Sequence, residues 1–239
     1  MKAVILAAGK GERLLPLTID RPKALVGLRG IPLIDTTLDF LAHHAISEII
    51  VVGGAFFPQL QNHLKNKSVS MGLPIRLIEN RNYEKGNILS LQVAAPYLTE
   101  EFLLMNADHI YPNRLFPAIL KSVNGITAIC DFNRTLSHDD MKVDLDPEKR
   151  IRKISKTLAH FDGGYIGMTW CGYEQLDTYL KALQTTLNQK GETAVVEDIL
   201  QTLADQKNPV RIFDASLYPW FEIDTPEELI KAEAVLVNS

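Results

Sequence analysis

A chain of 239 residues is long enough for one large α/β domain or two small ones, and a single domain with a substantial core is expected. Apolar residues at 46% and charged residues at 23% are ordinary for a soluble globular protein, and a net charge of −4 argues against a broad nucleic-acid-binding face. Two distant cysteines, Cys130 and Cys171, exclude a disulfide framework or a zinc site; without a membrane-length apolar run or a signal-peptide pattern, a cytoplasmic protein is expected, not itself a membrane protein.

The first apolar run, residues 3–8, predicts a buried strand that breaks into Gly9-Lys10-Gly11-Glu12-Arg13. Glycines at 9 and 11 let the backbone turn sharply and bring its N–H groups close to an anion. Lys10, Arg13, Arg21 and Lys23 add positive charge around that turn, so the segment reads as a phosphate cradle. A dinucleotide fingerprint would need glycine where Leu14 stands, and a Walker loop would need Gly-Lys-Ser or Gly-Lys-Thr where Gly11 is followed by Glu12 and Arg13.

Residues 34–45 follow as an amphipathic helix, with Ile34, Leu38, Leu41 and Ala45 three or four apart. A β-branched run ending in Gly53-Gly54 predicts the next strand, residues 59–64 a helix, 75–78 a strand, 89–98 a helix and 102–105 a strand. Apolar strands alternating with helices imply a mostly parallel sheet covered on both faces, with ligands at the carboxyl ends of its strands. The second half predicts a strand over 125–130 and a hairpin from 142–145 and 150–154 around Pro147. A strand over 165–168 and a helix over 173–187 follow. No linker or repeat divides the chain; residues 131–170 are expected to form a small β-rich substrate-binding lobe.

Two acids stand where such a sheet delivers chemistry. Asp108, in Met105-Asn106-Ala107-Asp108-His109, ends an apolar strand where a buried carboxylate is costly without a partner. Asp224, in Phe221-Glu222-Ile223-Asp224-Thr225-Pro226, also suits the start of a helix. Together, two hard carboxylates suit Mg²⁺, which keeps waters and takes further ligands from phosphates. His109 adjoins Asp108 and reads as a neighbour of the site or a solvent-facing imidazole.

The first loop resembles the nucleotidyltransferase signature Leu-Ala-Ala-Gly-x-Gly-x-Arg-(x)-Pro-Lys, matched at Leu6, Ala7, Ala8, Gly9, Gly11, Arg13, Pro16, Leu17, Thr18, Pro22 and Lys23. The resemblance implies a Rossmann-like, mostly parallel sheet flanked by helices, of the nucleotide-diphospho-sugar transferase type. It also implies Mg²⁺ held by Asp108 and Asp224, with Glu222 a less favoured substitute. Arg13 is then assigned to the triphosphate and Lys23 to the α-phosphate and incoming phosphate, while Lys142 occupies a place comparable to a lysine that holds the acceptor phosphate in related enzymes. An isolated lysine is otherwise most often solvated.

Asn80-x-x-Tyr83 and Asn87-x-x-Ser90-Leu91 are similar to cytidylyltransferases that activate phosphocholine or inositol 1-phosphate, and depart from the Gly-Leu-Ala or Gly-Thr-Ala of thymidine and uridine enzymes. Gly86 and Asn87 with Ala8 and Gly9 are expected near the nucleotide, although Asn87 or Ser90 would also cap a helix. Choline would call on aromatic residues, for which Tyr165, Trp170, Tyr218, Trp220 and Phe221 are available; inositol would call on polar partners. The expectation is a Mg²⁺-dependent cytidylyltransferase, monomeric or homodimeric, that joins CTP to a phosphorylated alcohol, with a membrane transferase a plausible user of the product. The alternatives are a sugar-1-phosphate enzyme using UTP, dTTP or GTP, and a catalytically silent nucleotide-binding regulatory subunit.

Overall fold

In the computed structural model, which describes residues 1–42 and 44–236, strands and helices alternate through the first half. In chain order these are β1 (Lys2–Ala7), the short pair β2 (Gly27–Leu28) and β3 (Ile31–Pro32), α1 (Leu33–Leu41), β4 (Glu48–Gly53), α2 (Phe57–Met71), β5 (Ile75–Glu79), α3 (Ile88–Ala94) and β6 (Phe102–Asn106). The second half contributes β7 (His109–Ile110), α4 (Leu115–Ser122), β8 (Ile126–Asp131), the hairpin β9 (Lys142–Leu145) and β10 (Ile151–Ser155), and β11 (Gly163–Cys171). It ends with α5 (Leu176–Lys190), α6 (Glu197–Asp205), β12 (Val210–Asp214), β13 (Phe221–Glu222) and α7 (Pro226–Leu236).

A nine-stranded sheet runs in the order β10-β9-β11-β6-β1-β4-β5, with β8 pairing β11 and β12 pairing β8. β6, β1, β4 and β5 are mutually parallel, whereas β11 is antiparallel to β6 and β8. Along β1 successive side chains point to opposite faces, and both faces are dry. Val4 packs with Val52, Leu104 and Leu91 on one side, and Ile5 with Val51, Met105 and Leu38 on the other. Each such buried aliphatic side chain contributes about 1.5–3 kcal/mol relative to exposure, which is why uninterrupted apolar runs become central strands.

Several element bounds differ from the sequence reading for physical reasons. α1 stops at Leu41, where Ala42 takes extended backbone (ψ 152°); position 43 of the expected helix lies outside the described residues. α2 runs beyond the expected 59–64 because its apolar pattern, with only Leu60 and Leu64 buried, marks little of its length, and it ends at Gly72 in the left-handed region (φ 64°). α3 yields to a 3-10 turn over Ala95–Tyr97, where Pro96 cannot donate to the helix ladder. α4, α6 and β12 are elements the sequence reading did not include.

One irregularity shapes the site. The register between β11 and β8 shifts between Tyr165 and Thr169, and Gly167 within that shift has φ 75°. Past this point the edge of β11 that pairs β6 through Met168–Cys171 instead meets β9 through Gly163 and Gly164. A Cβ on Gly167 would come within 2.8 Å of His109 Nε2, so only glycine fits there. No helix of the described residues is long and apolar enough to cross a membrane.

Candidate active site

Beside this fork a cavity of about 330 Å³ opens at the carboxyl ends of β1 and β6, with Leu6, Asn106 and Gly167 in its wall. A neighbouring hollow of about 430 Å³ lies over the first loop and shares Gly9, Arg13, Tyr83, Asp108 and Asp224 with it. The loop is shaped by Gly11, whose φ of 70° is left-handed and whose carbonyl accepts a 2.8 Å hydrogen bond from Thr18 Oγ1. A Cβ at Gly11 would stand 2.8 Å from Lys23 Cβ, so this glycine admits the lysine stem. At Gly9 a Cβ would meet nothing within 4 Å, leaving the backbone open to a ligand.

Lys23 ties the two acids together. Its ammonium donates to Asp108 Oδ2 at 2.5 Å and to Asp224 Oδ1, so oxygens from both carboxylates touch one nitrogen. Arg13 reaches Asp224 Oδ2 at 2.7 Å with one guanidinium nitrogen and Asp139 with another, and Lys156 Nζ reaches Asp139 Oδ1 at 2.6 Å. Burial disfavours the charged forms of Lys23 and Arg13, yet the adjacent carboxylates outweigh it and hold both pKa values above the ordinary ones. Burial likewise opposes ionisation of Asp108, but Lys23 and His109 overcome it and hold the carboxyl well below the usual range.

His109 lies beneath this cluster, its Nδ1 2.7 Å from Asp108 Oδ1. Its ring stacks on Trp220 at 5.6 Å and 2°, and Trp220 Nε1 donates to Asp131 Oδ2 at 2.9 Å. The imidazole is buried rather than solvent-facing; burial lowers its pKa, but the bond to Asp108 together with the nearby Glu222 and Asp108 charges outweighs burial and raises it. Glu222 shares the cavity and is pushed up to about 7, chiefly by burial and then by repulsion from Asp108 and Asp224, against the pull of His109. Among the described residues no group of three or more His, Cys, Asp or Glu forms a metal cluster. The paired Asp108 and Asp224 oxygens are still a donor set that fits a hard divalent cation completing its shell with water and phosphate.

A family model for the MobA-like NTP transferase domain matches residues 3–139. The chain belongs to this family. It is 38% identical to the CTP:phosphoglutamine cytidylyltransferase of Campylobacter jejuni, over 96% of this chain and 98% of that one. It is also 28% identical to the bifunctional IPC transferase and DIPP synthase of Rubrobacter xylanophilus, over 99% of this chain but 52% of the relative. The chain thus spans about half the length of the bifunctional relatives it matches. Its fold superposes on the inositol-1-phosphate CTP transferase of T. maritima with a TM-score of 0.82 at 24% identity, covering 99% of this chain and 94% of the other.

In this MobA-like transferase, Ala8, Gly9, Arg13, Asn87, Asp108 and Asp224 line the cavity, and Gly11 and Lys23 line the adjoining hollow. Two residues expected at the site are placed elsewhere. Gly86 packs against the backbone of the 191–194 turn: its N–H donates to Glu192 O at 2.8 Å, and a Cβ would fall 1.9 Å from Ala194 O. Lys142 is 6% exposed and points inward, where its ammonium donates to the carbonyls of Ser137 at 2.7 Å and Lys156 at 2.8 Å. With those donors engaged in fixing backbone, Lys142 props the loop that brings Asp139 and Asp140 to the cavity wall and does not itself line it.

Among the described residues two lysines line the cavity, Lys85 and Lys156, the latter just past β10; the sequence reading named neither as a site residue, nor Tyr83, Asp139 and Glu197. Asn87 does not cap α3; its Oδ1 accepts the Val196 N–H at 2.9 Å and ties the loop before α6 to the site. Ser90 is engaged by Asn80 Nδ2 at 3.0 Å. Among the aromatic residues expected for choline, only Tyr165 lines the cavity; Tyr218, Trp220 and Phe221 line a separate pocket, and Trp170 is packed in the core.

Proposed function

We propose that the chain is a Mg²⁺-dependent cytidylyltransferase that joins CTP to a phosphorylated alcohol, giving a CDP-alcohol and pyrophosphate. The observation that carries this reading is the meeting of Lys23 with Asp108 and Asp224 beside the glycine loop, because it sets the cation of the family signature against two acids from distant strand ends. The choice of CTP is supported by the full-length Campylobacter relative, which is named for that nucleotide.

The acceptor needs no base to activate it, since a phosphate monoester with its second pKa near 6 is already a nucleophile at neutral pH. An acceptor phosphate oxygen forms a bond to the α-phosphorus, and the bond from that phosphorus to the bridging oxygen breaks, its electron pair leaving with pyrophosphate. The obstacle is the meeting of two polyanions. Arg13, Lys23 and Lys156 answer it from three sides, each exchanging a carboxylate partner for phosphate as substrates enter. Asp108 and Asp224 would hold Mg²⁺, which supplies charge neutralisation for the triphosphate when bound. His109 fixes the Asp108 carboxylate through Oδ1.

Pyrophosphate release with Mg²⁺ across CTP, UTP, dTTP and GTP, each with phosphorylated alcohols and with glucose 1-phosphate, tests the reading. Turnover with CTP and a phosphorylated alcohol is expected. Turnover restricted to glucose 1-phosphate with another nucleotide would overturn base and acceptor together, and CTP binding without pyrophosphate from any acceptor would favour a regulatory, non-catalytic role.

A further inference from the structure

The cavity holds a buried carboxylate that phosphate chemistry leaves without a task. Glu197 opens α6, is 9% exposed, and lines the cavity near Tyr165 and Val195. Its loop is pinned by Asn87 on one side and by Asp198, which accepts the Val195 N–H at 2.9 Å, on the other, so the side chain is held facing the ligand space. Among the described residues no Lys, Arg or His nitrogen pairs with its carboxylate, and Lys156 and His109 act on it only from a distance. A buried acid in that condition raises its pKa, chiefly through desolvation, as Glu197 does.

The surrounding charges narrow what would satisfy it. Arg13 and Lys156 are the cations set to meet phosphates, and both now rest on Asp139. Once phosphates occupy them, the wall carrying Glu197 and Glu222 keeps two carboxyl groups without an ion pair among the described residues, since His109 is held by Asp108 and Lys85 by Glu192. A neutral polyol would hydrogen-bond to such a wall but leave its charge buried and unbalanced, which is costly. A quaternary ammonium would be satisfied by a cage of aromatic faces, yet among the described residues the cavity wall offers two tyrosine rings, Tyr83 and Tyr165, and no tryptophan or phenylalanine. An ammonium with N–H donors would both hydrogen-bond and neutralise the carboxylate.

We propose that the acceptor carries a primary ammonium group beyond its phosphate, and that Glu197 is the residue that selects it. The inference rests on the proposed function only in taking the acceptor to be phosphate-bearing. It is tested by calorimetric binding of phosphoethanolamine and of propyl phosphate, which replaces the ammonium by a methyl group, to the full chain with Mg²⁺. The titrations are run without nucleotide and with non-hydrolysable CTP and UTP analogues.

Phosphoethanolamine is expected to bind at least about tenfold more tightly than propyl phosphate. Glu197→Gln should remove most of that preference while changing propyl phosphate binding little; Glu197→Asp, which keeps the charge, should retain part of it. Equal affinity for the two ligands, failure of both to bind, or a preference that survives Glu197→Gln would overturn the inference. So would tighter binding of inositol 1-phosphate or of phosphocholine than of phosphoethanolamine. An ammonium preference seen only with the UTP analogue would leave the role of Glu197 standing and move the base, which separates this inference from the reading of CTP as donor.

Discussion

Lys23 touches two carboxylates with one ammonium, so its removal should act on the reaction more than on binding. Lys23→Ala is expected to lower kcat by about 10²–10³-fold, with a much smaller change in CTP affinity. Equal losses in steady-state kinetics and in equilibrium binding would instead show a uniform binding role. Glu222 gives a pH dependence of opposite sign to an ordinary ion-paired acid. Its folded pKa of about 7 stands above an unfolded value of about 4.3, so its stabilising contribution is full below the latter and is lost as pH rises through the former. The melting temperature of Mg²⁺-free protein should therefore fall between about pH 5 and pH 8, and Glu222→Gln should flatten that fall; an unchanged slope would refute the assignment. Arg13, Lys23, Asp108 and Asp224 were legible in the sequence because each sits in a local string whose chemistry needs it. Lys156 and Glu197 were not, since a lysine after a hairpin and a glutamate at the start of a helix acquire meaning only when the chain places them on one cavity.

The loop joining α5 to α6 is the element on which the site depends most and which the sequence showed least. Gly86 lies against it with no room for a side chain, and Asn87 bonds to it. Gly86→Ala should destabilise the protein by at least about 2 kcal/mol, because the clash is with backbone and cannot be relieved by a rotamer change. Chemical denaturation measures this, and a loss below about 0.5 kcal/mol would show that the loop gives way. The parallel strands were legible because burial on both faces leaves continuous apolar runs such as Ala3-Val4-Ile5-Leu6. α2 was read as too short because a helix with two buried leucines in fifteen residues carries little periodicity. The bulge at Gly167 had no local signature apart from the glycine itself, as its cause is the His109 ring packed beneath it.

Across the whole molecule, one sheet buries both thiols and delivers the reactive groups to a single end. Cys130 and Cys171 are free and buried, and burial pushes the Cys171 thiol up to about 12. Neither should react with iodoacetamide at about pH 8 until the protein is unfolded, which mass spectrometry with and without denaturant will show; rapid labelling of native protein would contradict the packing. The family match ends at residue 139, so the phosphate loop, Lys23 and Asp108 fall inside it while Lys156, Glu197 and Asp224 fall outside. The most direct test of this arrangement follows the α-phosphate of CTP. With α-labelled CTP, Mg²⁺ and a phosphorylated acceptor, label should pass into a CDP-linked product, and chelation of Mg²⁺ or Asp108→Ala in folded protein should abolish the transfer. Undiminished transfer by Asp108→Ala, or label that binds and never moves, would contradict the account.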